Sequence, residues 1–278
     1  MHPRADQFQH WLTDYGRFRE FRCAPYDNGG CAAYHVMAPL LHQLGGFVSF
    51  ESYGPALRQV LNSRRTNGSQ SSIMVAGIAS EESARSLLSV LESLTVSNEV
   101  EFVDHCQTPL FRIRTMLEDT NYTTRIHTTV GDFLGDHAPT RRYDIVLADS
   151  LLRQFQPQEK VQVIQRLAQH LEPKTGMLLF REYVGRNELL LADLWQKLES
   201  YPSVLRWKSS VRNDAVAAFD RLYPELQRYM CAKGGSYNTL EDLKRDIRQG
   251  GLAEVETHDL SPQCQLVTCR RRIPTHEE

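Results

Sequence analysis

From Ile73 to Val184 the chain alternates short apolar runs with amphipathic ones five times, and no other feature narrows its fold as much. "SIMVAG" (72–77), "EVEFVD" (99–104), "TRIHTTVGDF" (124–133), "RRYDIVLADS" (141–150) and "GMLLFREYV" (176–184) read as strands. Three of the stretches between them repeat apolar residues at the helical period. In "SEESARSLLSVLESL", Ala84, Leu87, Leu88, Leu91 and Leu94 share one face, Ser80 stands as N-cap, and two acids occupy the first turn. "TPLFRIRTMLED" carries Pro109 in its first turn, and "QPQEKVQVIQRLAQHLEP" stops near Pro173. Short strands joined by helical crossovers predict a parallel sheet with helices on both faces.

The rhythm breaks on either side of this core. Residues 1–70 read as a helical N-terminal lid: "FQHWLTDYGRFREF" and "YGPALRQVLNSRR" follow the helical period, interrupted by Pro25 and by Asp27–Gly30. The polar stretch "RTNGSQSS", Arg65 to Ser72, reads as the linker. A helical insertion is expected at about 186–236, built from "ELLLADLWQKLES" and "AVAAFDRLYPELQRYM". The apolar face of Leu189, Leu190, Leu194 and Trp195 reads as core. "TLEDLKRDIRQGGL" returns to the main plan, capped by Thr239 and stopped by its glycine pair. "AEVETHDL" and "CQLVTCRRR" complete residues 71–278 as an antiparallel pair. The prediction is an α/β, doubly wound, seven-stranded, mostly parallel sheet.

The charge balance bounds the partners. With Lys+Arg 32 against Asp+Glu 34, the formal net charge is −2. Bulk attraction to nucleic acid or an anionic membrane is not expected, and Arg270–Arg272 read as a solvated face. No apolar run approaches spanning length and the start lacks an apolar leader, so a cytoplasmic location is expected. None of the six cysteines forms a CxxC pair, which predicts free thiols and no metal site.

In an open α/β sheet, ligands bind beyond the carboxyl ends of the strands. Strand one ends at Gly77 and strand two at Asp104-His105. Gly131-Asp132-Phe133 follow strand three, Asp149-Ser150 close strand four, and Glu182-Tyr183 close strand five. Acids at or just beyond four of the five ends make a stronger signal than any one of them.

In this order of elements, Ser72 to Arg272 resemble the class I S-adenosylmethionine-dependent methyltransferases. The best local matches are "EVEFVD", "VGDF" and "YDIVLADSLLRQF" followed by "LAQHLEPKTGMLLF". The resemblance implies S-adenosyl-L-methionine as cofactor. Asp104 would accept the two ribose hydroxyls, next to His105. Asp132 would meet the adenine amino group, with Phe133 beside the ring. Asp149 and Ser150 would lie near the methionine portion. Tyr34 would close over the cofactor, and Glu182 and Tyr183 would contact substrate.

The glycine-rich loop departs from the family. Its acid-x-Gly-x-Gly-x-Gly positions hold Val75, Gly77, Ala79 and Glu81. Only the first glycine survives, and the acid that steadies the methionine ammonium is replaced by Val75. Ala79 still allows a close backbone approach. Glu81 stands either as a substitute for the lost acid or as an ordinary helix-start acid.

Three functions follow from the resemblance. The first is methyl transfer to a small molecule, in specialised metabolism. The second is intramolecular cyclisation of the cofactor to azetidine-2-carboxylate with release of methylthioadenosine. The third is a methyltransferase-like partner protein that binds no cofactor.

Overall fold

In the computed structural model, described residues are 50–64, 70–94, 98–118, 120–135, 141–185, 234–261 and 264–272. Cys23, Cys31, Tyr34, His35, Ala38, Pro224, Leu226 and Arg228 are described as well. Most of the expected lid and insertion, including Leu189 to Trp195, lies outside them.

A turn of 3-10 helix, Phe50–Tyr53, leads into α1 (Gly54–Arg64). Then follow β1 (Ser71–Ala76), α2 (Glu81–Ser93), β2 (Asn98–Asp104), α3 (Gln107–Glu118), β3 (Arg125–Val130) and β4 (Ile145–Asp149). A second 3-10 turn, Leu151–Gln154, precedes α4 (Pro157–Gln169) and β5 (Met177–Tyr183). The chain closes with α5 (Leu240–Gln249), β6 (Leu252–Ser261) and β7 (Cys264–Arg271). Strand β1 begins inside the stretch read as linker, because Ser71 and Ser72 pair with Asn98 and Glu99.

All seven strands form one sheet in the order β3-β2-β1-β4-β5-β7-β6. The first five are parallel. Strand β7 runs antiparallel to both β5 and β6, so it alone is reversed. The order turns about β1 and β4, which makes their carboxyl ends the switch point where such sheets bind ligands.

Alternation along the strands fills two cores. On one face Ile73, Val75, Val100, Phe102, Leu147 and Leu179 pack against Leu87, Leu88 and Leu91 of α2 and Leu110 and Ile113 of α3. Phe50, Tyr53, Leu57 and Leu61 belong to this same core. On the other face Met74, Val146, Leu178 and Phe180 meet Val163, Ile164 and Leu167 of α4 and Leu243 and Ile247 of α5. Each fully buried leucine contributes roughly 1.5–3 kcal/mol of transfer free energy.

The helix starts follow local chemistry. The Ser80 hydroxyl accepts the amide of Ser83 at 3.3 Å, and Thr239 accepts that of Asp242 at 3.1 Å. Gln156 and Glu159 form a reciprocal capping box ahead of α4. No described helix is long and apolar enough to cross a membrane.

Candidate active site

Gly77 follows β1 with φ of +73°, a left-handed conformation in which a side chain would be strained. A Cβ there would come within 2.8 Å of Leu151 Cδ1. Glycine therefore lets the chain turn tightly between β1 and α2, over the 3-10 turn that follows β4. Its amide donates to Val103 O at 2.8 Å, so the turn is held against the end of β2.

Asp104 fixes the neighbouring turns. One carboxylate oxygen accepts the Ile78 amide at 2.9 Å, and the other accepts the Cys106 amide at 2.7 Å. Burial raises the Asp104 carboxyl above the usual range, opposed by His35 and by these two amides. Each oxygen keeps a further acceptor site for a ligand hydroxyl.

Asp149 closes β4 beside Arg181 of β5. Arg181 Nε donates to one Asp149 oxygen at 2.7 Å and Nη2 to the other at 2.6 Å. The guanidinium is almost wholly buried and lies 5.9 Å from the Tyr53 ring centroid. Ser150 is the one non-glycine residue with positive φ among the described residues, at 53°. Its amide still donates to Arg181 O at 2.9 Å. A non-glycine residue in this region costs on the order of 1 kcal/mol, and such strain clusters at functional sites.

These strand ends enclose a cavity of about 340 Å3. Among the sequence-derived candidates, Gly77, Ala79, Asp104, His105, Asp132, Phe133, Asp149, Ser150 and Tyr34 line it. Asp132 also holds an Asx turn, accepting the Leu134 amide at 2.9 Å. Phe133 is largely buried and meets the His170 ring edge-on at 6.4 Å.

Glu81, Glu182 and Tyr183 do not line the cavity. Glu81 begins α2 and pairs with Arg112 of α3 at 2.9 Å. Arg112 also donates to His35 O at 3.1 Å, tying α3 to the segment above the cavity. Every residue of β5 is buried, because β4 and β7 flank it and core packs on both faces. Alternation sends Arg181 to the Tyr53 side and Glu182 to the opposite one, where the Leu152 amide donates to it at 3.0 Å. Burial pushes the Glu182 carboxyl up to about 7. Tyr183 is buried, with the Arg153 guanidinium 5.0 Å from its ring centroid.

Sequence reasoning missed Cys31, His35, Arg112, Gln154 and Arg181. Cys31, His35 and Gln154 line the cavity, while Arg112 and Arg181 brace it. The signal for two of them was present: Cys31 and His35 are four apart in a helical stretch and so share a face.

The chain has the class I methyltransferase fold. Solved structures carry this finding. A protein from Nostoc punctiforme, provisionally described as an O-methyltransferase, is 13% identical with a TM-score of 0.54, covering 95% of this chain and 69% of its own. An O-methyltransferase family 2 protein from Planctomyces limnophilus, solved with apigenin, is 14% identical with a TM-score of 0.50, covering 96% of this chain and 62% of its own. Mitomycin 7-O-methyltransferase is 12% identical with a TM-score of 0.50, covering 96% and 66%. The chain thus spans about two thirds of the length of these methyltransferase-fold proteins. No family model matches its sequence, and no curated protein matches it.

Within this methyltransferase fold the donor set suits an adenosyl ligand. The cavity falls in the range of about 300–1,000 Å3 typical of small-molecule sites. An acceptor-only carboxylate stands at the end of β2, and Gly77, in a left-handed conformation, also lines the cavity.

Proposed function

We propose that the protein is an S-adenosylmethionine-dependent methyltransferase acting on a small molecule. The observation that carries this reading is Asp104. It lies at the switch-point cavity with both oxygens ordered by backbone amides and with acceptor sites to spare. Such a carboxylate recognises a pair of vicinal hydroxyls. In this reading Asp132 and Phe133 meet the adenine, and Asp149 and Ser150 lie beside the methionine portion; all four line the same cavity. When bound, the cofactor supplies a methyl group activated on a sulfonium. The chain's own residues hold and align it, exclude water from the cavity, and set the acceptor in line. A small-molecule acceptor suits a cavity of this size, and a soluble cytoplasmic setting suits the chain.

A second reading is favoured by the first loop. Val75, at the position of the family's ammonium-binding acid, is fully buried in the core, and Glu81 is engaged by Arg112. The methionine amine then has less reason to be held as an ammonium by this loop. In the cyclase reading its nitrogen attacks the γ-carbon, the carbon–sulfur pair leaves with methylthioadenosine, and one amine proton passes to solvent.

Incubation with S-adenosylmethionine alone separates the readings by mass spectrometry. Methyl transfer predicts S-adenosylhomocysteine that forms only once an acceptor is added. Methylthioadenosine without an acceptor supports the cyclase. No heat of binding in calorimetry with either S-adenosylmethionine or S-adenosylhomocysteine overturns both, leaving the cofactor-free partner protein.

A further inference from the structure

Three sulfur atoms from distant parts of the chain meet beside the cavity. The Sγ atoms of Cys23, Cys31 and Cys106 all lie within 4.8 Å of one another. Those of Cys31 and Cys106 are 3.6 Å apart. Thiolates bound to one tetrahedral zinc ion at about 2.3 Å stand roughly 3.8 Å apart. A disulfide needs about 2.05 Å and employs only two sulfurs. Cys31 and Cys106 are buried and Cys23 is half-buried.

His35 lines the same cavity as Cys31, while the donors within 4.8 Å of one another are the three sulfurs. Cys31 and His35 are both helical, and residues four apart share a face. The His35 ring is buried. Its Nδ1 is 3.4 Å from Ala79 O. A backbone carbonyl at that distance places the proton on Nδ1 and leaves the Nε2 lone pair for a metal, the usual outer support of a metal-binding histidine.

We propose that Cys23, Cys31 and Cys106 form a structural zinc site whose tetrahedron the His35 imidazole completes by moving in when the ion binds, since only the three sulfurs already meet within 4.8 Å. Four protein donors leave no position for water or substrate, so the site is a fastener rather than a catalyst. It joins the segment carrying Tyr34 to the turn that follows Asp104, at the edge of the cavity. Binding deprotonates the three thiols and releases their protons to solvent. The usual search for paired cysteines misses the arrangement, because the turn after β2 supplies one sulfur and a segment 75 residues earlier supplies its partner.

The full chain, purified anaerobically without chelator, tests this by elemental mass spectrometry and by replacing zinc with Co2+. The expected result is one zinc per chain. With Co2+ the wild-type protein should show thiolate-to-metal charge transfer and the intense visible bands of tetrahedral cobalt. Cys31→Ser and Cys106→Ser should each abolish stoichiometric zinc. His35→Ala should weaken zinc binding, and Cys269→Ala, on β7, should retain it. The cobalt spectrum is read on the wild-type chain, so poor folding of a variant does not weaken the test. Zinc near zero after its addition, a cobalt spectrum like that of the hydrated ion, or a Cys31–Cys106 disulfide in the protein as isolated would overturn the site.

Discussion

Arg181 holds Asp149 through two parallel hydrogen bonds of 2.7 and 2.6 Å, and the arginine is almost entirely removed from water. The pair spans two neighbouring strands and fixes a carboxylate at the cavity edge. Removing Arg181 leaves the partly exposed Asp149 carboxylate at the cavity edge without its two charged hydrogen bonds, which costs about 1.5–3 kcal/mol. Arg181→Met is therefore expected to destabilise the fold by that amount in urea unfolding. A midpoint equal to that of the wild type would remove the pair from the account of stability.

Asp104 accepts a pair of backbone amides and, in the proposed function, the ligand as well. Asp104→Ala strands the Ile78 and Cys106 amides and, on that proposal, removes the acceptor for the cofactor hydroxyls. A charged hydrogen bond of roughly 1.5–3 kcal/mol corresponds to at least a tenfold loss of S-adenosylmethionine affinity. Calorimetry reads the affinity and thermal unfolding reads the amides. Unchanged affinity in a folded variant would detach Asp104 from the cofactor.

Gly77→Ala introduces two separable costs. The left-handed φ strains any side chain by about 1–2 kcal/mol, and the new Cβ meets Leu151 Cδ1 at 2.8 Å. The end of a leucine can swing aside; the backbone cannot. In a Leu151→Ala background the collision vanishes and the strain stays. A double-mutant cycle in denaturant should thus show a residual loss, and complete rescue would count against the left-handed turn.

Glu182 makes stability depend on pH. Its carboxyl is raised from 4.5 to about 7 by burial. Between those values the folded state binds more protons than the unfolded state, so stability falls as pH rises. The loss attributable to this group is on the order of 3 kcal/mol between pH 5 and 8. Glu182→Gln should flatten that slope in unfolding curves taken across this range. A variant with the same pH dependence as the wild type would show that Glu182 ionises freely in the fold.

The strand–helix rhythm from Ile73 to Val184 was legible because apolar periodicity is a local signal. The caps at Ser80 and Thr239 were legible for the same reason. What escaped the sequence depended on neighbours. Alternation marked residues 264–271 as a strand but gave no hint that it lies between β5 and β6. Glu182 reads as a substrate contact at a strand end, whereas flanking strands bury it and the Leu152 amide occupies it. Glu81 looks available for a ligand until Arg112, thirty-one residues on, claims it. Asp104 was placed at the site from its position, but its two partners are backbone amides and leave no mark in residue type. The sulfur cluster stayed hidden because its members are far apart in the chain.

The reversed strand also bears on how the protein is made. Among the described strands β6 pairs only with β7, and β5 gains its second neighbour only when β7 docks. While residues 264–271 are still inside the ribosome, β5 is an open hydrophobic edge and β6 has nothing to pair with. The nascent chain can assemble β1 to β5 early, but it must shield that edge until the final hairpin emerges.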